Sequence, residues 1–212
     1  MKPELDKQLC EKYPKIFKNR NASETESCMH WGIEVGNGWY DVIDALCQAA
    51  TYTYTTSLMI DEVDGKRLNI APYSYSNVTT YHFSVKPPQL VADQVKEKFG
   101  TLRFYYHLQY DSDLLELEKT NKYPDLKEII NRYNAYFDGI IHFAETLSER
   151  TCEITGQKGE MHVTKSGWYK TLNCDYAKTD PFCVDRNYVP VSSLKKEKTV
   201  QMSPNPFIEK TK

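Results

Sequence analysis

Between Leu126 and Leu147 the apolar residues fall at Leu126, Ile129, Ile130, Tyr133, Phe137, Ile140, Ile141, Ala144 and Leu147. Spacings of three and four draw one continuous stripe down an α-helix, and a stripe of that length must be buried against other elements. Pro124 suits the first turn of such a helix. This helix is expected to carry the core, and it leads directly into Cys152, where a segment rich in Cys, Gly and aromatic residues begins.

Upstream, Leu5, Leu9, Tyr13, Ile16 and Phe17 make a short helical stripe that Pro14 ends or kinks. Gly32, Gly36 and Gly38 around Trp31 and Trp39 predict a tight irregular approach that packs two indoles on the core. A helix follows with Trp39, Val42, Ile43, Leu46, Cys47 and Ala50 on one face, and Cys47 reads there as an inert core thiol. From Thr51 to Val85 the pattern turns to Thr, Tyr, Ser and β-branched residues. Strands are expected there, with Asp64-Gly65 as a hairpin turn. Pro87 and Pro88 predict the opening of a helix over 89–99, with Leu90, Val91, Val95 and Phe99 inward and Gly100 as its stop. TLRFYYHL (101–108) alternates as a strand with Leu102, Phe104 and Tyr106 on one face, and 111–123 is helical in composition.

After Arg150, glycines at 156, 159 and 167 fit short strands and turns better than any helix. The segment from 187 onward, with its lysines and prolines, reads as a flexible basic tail. The fold class expected is α+β, with helices packed on a small, mostly antiparallel sheet and a small C-terminal ribbon-like appendage. The organisation expected is a main domain over 1–150, an appended module over 151–186 and a tail over 187–212.

Composition narrows the function classes. The 27 basic and 29 acidic side chains leave a formal charge of -2, which argues against a surface that is basic all round, while a local basic patch stays open. No stretch is long and apolar enough to span a bilayer, so no membrane association is expected. The start, MKPELDKQLCEKYPKIF, mixes both charge signs where a secretory leader needs an apolar run, so the protein is expected in the cytosol. There, Cys10, Cys28, Cys47, Cys152, Cys174 and Cys183 read as free thiols or metal ligands before disulfides.

Three blocks stand in a recognisable order: WGIEVGNGWYDVIDALC (31–47), VKEKFGTLRFY (95–105), and the segment from Cys152 that carries GWYKTLNCDYA (167–177). Together they resemble an uncharacterised family of tailed-phage and prophage proteins with a C-terminal zinc-ribbon-like module. The resemblance implies a phage or mobile-element origin, hence action in the host cell cytosol, and implies no activity. It also implies a Cys-x-x-Cys knuckle followed by a Cys-x-x-His pair, of which this sequence keeps Cys152. Thr155 stands at the second position, and Asn173 and Tyr176 at the other pair. A set rebuilt from Cys152, His162, Cys174 and Cys183 lacks knuckle spacing, so neither zinc nor another cofactor is expected.

Catalytic candidates are few. Cys28 and His30 point apart if extended, Asp41 and Asp44 read as solvated carboxylates on a helix, and GNGWYD lacks the residues of a phosphate loop. The function expected is a non-enzymatic, phage-type accessory protein that binds a host macromolecule, a host protein first, and inhibits a host defence system. Its contact surface is expected at Tyr52, Tyr54, Tyr73, Tyr75 and Tyr81, since alternation leaves some of these rings exposed. The alternative is a nucleic-acid-binding accessory protein using Lys158, Lys165, Lys170 and the basic tail beside Trp168 and Tyr169. Oligomeric state is not indicated by the sequence.

Overall fold

Pro3 opens helix α1 (Pro3–Lys12), which stops at Tyr13 because the residue before Pro14 is driven out of the helical region. The computed structural model describes residues 1–55, 58–63, 66–71, 83–85, 87–119 and 125–194. After two 3-10 turns come β1 (Ile33–Glu34) and α2 (Tyr40–Thr55), then β2 (Leu58–Val63), β3 (Lys66–Ala71) and β4 (Phe83–Val85). The long hairpin β5 (Gln89–Lys98) and β6 (Thr101–Gln109) is followed by α3 (Ser112–Lys119) and the long helix α4 (Asp125–Ser148). The last elements are β7 (Glu160–Val163), β8 (Tyr169–Leu172), α5 (Cys174–Thr179), α6 (Pro181–Asp185) and β9 (Val189–Pro190). The fold is α+β. Three small sheets have the orders β1-β5-β6, β3-β2-β4 and β8-β7-β9, antiparallel throughout except for the parallel β1–β5 pair.

The main core gathers α1, α2, β5, β6 and α4 around Leu9, Trp39, Ile43, Leu102 and Phe137, all fully buried. Every residue of the α2 stripe from Trp39 to Ala50 is buried. On α4 the stripe is buried at Tyr133, Phe137, Ile141 and Ala144, half-buried at Ile130 and Ile140, and exposed at Leu147, while the side chains of Leu126 and Ile129 lie outside the described ones. The helix has a second, polar stripe. Ser148 Oγ accepts the Leu102 amide at 2.9 Å, Glu145 Oε1 accepts the Phe104 amide at 3.0 Å, and Tyr106 and Tyr110 donate to Asp138 and Asn134. These side chains run antiparallel along β6, the edge strand, and two of them, Ser148 and Glu145, satisfy amides that would otherwise invite pairing with another chain.

Several expectations are corrected. Residues 89–98 form a strand, paired with β6 from Gln89↔Gln109 to Lys98↔Thr101. Leu90 and Ala92 are buried in the main core and Val91 is buried on the opposite face of the strand, and with the β-bulge at Asp93 ahead of Val95 the run imitates a helical spacing. Helix α2 continues to Thr55 instead of yielding to a strand at Thr51, whose hydroxyl bonds back to the Cys47 carbonyl at 2.8 Å. β2 and β3 pair antiparallel up to Val63↔Lys66, while the expected turn residues Asp64 and Gly65 lie outside the described residues. Trp39 is buried, but Trp31 is 62% exposed and rests edge-on against His30.

The C-terminal module has its own small cluster of Cys152, Leu172, Ala177, Cys183 and Tyr188. Two short helices appear where none was expected. Caps make them: Asn173 Oδ1 accepts the Asp175 and Tyr176 amides, and Asp180 accepts the Cys183 amide ahead of Pro181. The segment after Asn187 is not all tail, because Val189 and Pro190 pair with Val163 and His162 and a 3-10 turn follows to Ser193. Residues from Lys195 on lie outside the described ones.

The module is locked to the main core by the glycine-tryptophan segment. A Cβ on Gly36 would lie 2.2 Å from the Glu153 carbonyl oxygen, and one on Gly38 would lie 2.2 Å from the Cys152 carbonyl oxygen. Only glycine permits that approach. It lets Gly38 N–H donate to Glu153 O at 2.7 Å, Gly36 N–H to Glu153 Oε1 at 3.0 Å, and Trp39 Nε1–H to Thr151 O at 2.7 Å.

Candidate interaction surface

Tyr52 and Tyr54 lie on the last turn of α2 with side chains outside the described ones, and Tyr73, Tyr75 and Tyr81 lie outside the described residues altogether. The expected tyrosine surface is therefore placed only in part, by backbone. The other residues singled out from the sequence do have positions.

Cys152, His162 and Cys183 are buried, but their contacts differ. Cys152 Sγ accepts the Thr155 amide at 3.4 Å, His162 Nδ1 lies 2.8 Å from the Glu160 carbonyl, and Cys174 donates its thiol proton to Glu160 Oε1 at 2.8 Å. Among the described residues no three His, Cys, Asp or Glu side chains gather as a metal site would require. Burial pushes the Cys183 thiol up to about 11 and the Cys47 thiol well above its ordinary value, which keeps both protonated. Cys28 and His30 do not meet, since His30 Nδ1 faces the Ala22 carbonyl at 2.8 Å. Asp44 takes the Lys12 ammonium at 2.8 Å and the Tyr13 hydroxyl at 2.9 Å, so it is a structural partner. Lys170 cannot serve as a free phosphate contact. Its ammonium sits 2.6 Å from the buried Glu153 carboxylate; burial alone would lower its pKa, but that carboxylate outweighs burial and raises it.

The strand β5, hidden by its helix-like spacing, supplies what sequence reasoning missed. Along the solvent face of the β5–β6 ribbon, Lys96 stands directly opposite Arg103, Lys98 opposite Thr101, and Gln94 opposite Tyr105. Successive residues of a strand alternate faces, so Lys96 and Lys98 project together. Lys96 Nζ lies 5.3 Å from the Tyr105 ring centroid, and Tyr105 is 43% exposed. Arg103 lies 4.0 Å from Glu145 and spends one N–H on the Leu102 carbonyl. Farther along, His107 Nδ1 lies 2.8 Å from Asp93, the bulged residue. That pair orients an imidazole, but its neighbours on this face, Val91, Tyr105 and Gln109, include no activated nucleophile.

The ribbon ends in a two-residue turn, Phe99-Gly100, with φ of 55° and 79°. This is type I′ geometry, in which both residues take positive φ and asparagine and glycine are preferred. Phenylalanine there is strained. Its ring is nevertheless 66% exposed, with Lys98 Nζ 5.4 Å from the centroid.

The turn docks on the C-terminal module. Gly100 O accepts the Thr171 hydroxyl at 2.7 Å, and a Cβ on Gly100 would meet the Lys170 backbone at 3.2 Å. Thr171 and Tyr169 share one face of β8, and the register carries that face on to Val163 and Val189. Tyr169 and Val189 are partly exposed there, and Trp168, whose amide is held by the Thr164 hydroxyl, is 65% exposed. An aromatic and apolar rim thus runs from the ribbon tip onto the module.

Comparisons with known protein families, curated proteins and solved structures return no match. No helix among the described residues is long and apolar enough to cross a membrane.

Proposed function

We propose that the protein is a non-enzymatic accessory protein of the phage type that acts by binding a host macromolecule in the host cytosol and so inhibits a host defence system. The observation that carries the reading is the rim of Phe99, Trp168, Tyr169 and Val189, large side chains left exposed on ordered strands and turns. Rings on a rigid frame lose little freedom on binding, and Trp and Tyr are enriched among the residues that dominate interfaces. The reading also draws on the three blocks that resemble tailed-phage proteins, which supply the host and the accessory role.

The test is quantitative capture from host lysate. A partner retained by the parent protein and retained at least tenfold less by Trp168→Ala with Tyr169→Ala, about 1.4 kcal/mol, supports the reading. Equal retention by a folded double variant removes the rim from the argument. Turnover of any host metabolite by the purified protein would remove the non-enzymatic part.

A further inference from the structure

Lys96 and Arg103 stand directly across two strands, but Glu34 of β1 is the register partner of Lys96 on its other side and Glu145 lies 4.0 Å from Arg103, so their repulsion is balanced within the fold. One feature of the β5–β6 ribbon does oppose folding. Phe99 holds a positive φ of 55° that a side chain of its size tolerates poorly, and its exposed ring recovers little by packing. That strain would be relieved by an ordinary substitution, Asn at the turn. Strain that the fold does not use points to a ligand that does.

We infer that the solvent face and tip of this ribbon bind single-stranded nucleic acid. The inference rests on the macromolecule-binding reading above and names the chemistry of the partner. Lys96, Lys98 and Arg103 supply cations on one face, and Lys96 and Lys98, two residues apart on a strand, stand about 7 Å from each other. Each can take its own phosphate along an extended strand. Tyr105 and Phe99 lie among these cations with rings 5.3 and 5.4 Å from the lysine ammonium groups. Exposed rings interleaved with cations are what an unpaired strand requires, because every base offers a face for stacking and every linkage a negative charge. A duplex hides its base faces. An acidic protein segment would use the lysines but would leave an aromatic at a strained turn without purpose.

The experiment is fluorescence anisotropy of labelled oligothymidylate, oligouridylate and a matched duplex, at low and raised salt, beside the lysate capture described above. The parent protein is expected to bind one or both single strands more tightly than the duplex. Phe99→Asn is expected to weaken that binding at least tenfold while its unfolding midpoint rises, since Asn-Gly suits the turn. Lys96→Gln with Lys98→Gln is expected to weaken binding and to flatten the salt dependence by ~0.7 of a log unit per lysine. No binding of either strand at low salt overturns the inference, as does binding that Phe99→Asn leaves unchanged. A Phe99→Asn protein less stable than its parent also overturns it, because the ring would then be serving the fold. If oligonucleotides fail while Trp168→Ala with Tyr169→Ala still abolishes capture of a host protein, the inference falls and the macromolecule-binding reading stands.

Discussion

Gly38→Ala should part the C-terminal module from the main core. The new Cβ would lie 2.2 Å from the Cys152 carbonyl oxygen, 2.3 Å from the Gly156 nitrogen and 2.9 Å from the Glu153 carbonyl carbon, all backbone atoms. An ordinary contact needs more than 3.4 Å, so the two segments must separate by over an ångström. The bonds from Gly38 N–H and Trp39 Nε1–H, both 2.7 Å, cannot survive that shift together. Losing two buried hydrogen bonds at about 1 kcal/mol each, plus roughly 1–3 kcal/mol for forced overpacking, gives about 3–5 kcal/mol, a large part of a domain's stability. Urea unfolding followed by tryptophan fluorescence reads it, with Trp39 as the buried reporter. Gly139→Ala is the matched control: nothing lies within 4 Å of its added Cβ on the exposed face of α4, so helix propensity should raise stability by about 0.5–1 kcal/mol. A loss under ~1 kcal/mol for Gly38→Ala would refute the interlock.

Phe137→Ala should cost about 3–5 kcal/mol by chemical denaturation, because the ring is fully buried on α4, and Ile141→Ala about 2–5 kcal/mol. Lys170→Ala should cost roughly 3 kcal/mol by leaving the Glu153 carboxylate buried without its cation, an effect that a solvated phosphate-binding lysine would not show. In the native protein a thiol reagent should modify exposed Cys28 first and leave Cys47, Cys152 and Cys183 until unfolding, as timed mass spectrometry would resolve. Acid should loosen the C-terminal module. The Cys174 and Ser192 donors hold Glu160 below its ordinary pKa and Tyr176 does the same for Asp180, so their stabilisation is present above the usual carboxylate values and is lost as pH falls below about 4, readable by hydrogen exchange.

The helices with an unbroken period were legible. The α4 and α2 stripes fall on the core because one face of each is apolar at every turn, and propensity and packing agree there. The short helices α5 and α6 were not, since five or six residues carry no period. Their signals were single capping residues, Asn173 before α5 and Asp180-Pro181 before α6, visible only to a reading that looks for caps. The glycines at 36 and 38 announced a close approach without naming its partner, which lies more than a hundred residues away at Glu153.

For the candidate surface, the assignment of β5 decided what could be read. In a helix over 89–99, Lys96 and Lys98 would point about 200° apart and Phe99 would join the inward stripe with Val95. The strand reverses all three assignments: the lysines share a face, Arg103 stands opposite one of them, and Phe99 leaves the core for an exposed turn. Burial on both faces and the bulge at Asp93 are the cause together: Leu90 and Ala92 join the main core, Val91 is buried on the opposite face, and the bulge then shifts the register ahead of Val95, which erases the alternation that marks a strand. The two assignments also differ in what Phe99 is worth. A phenylalanine on an inward helical stripe would lose roughly 3–5 kcal/mol on truncation to alanine. One at positive φ with its ring in solvent should lose well under 1 kcal/mol, so Phe99→Ala measured by denaturation separates a core residue from a residue placed for a partner.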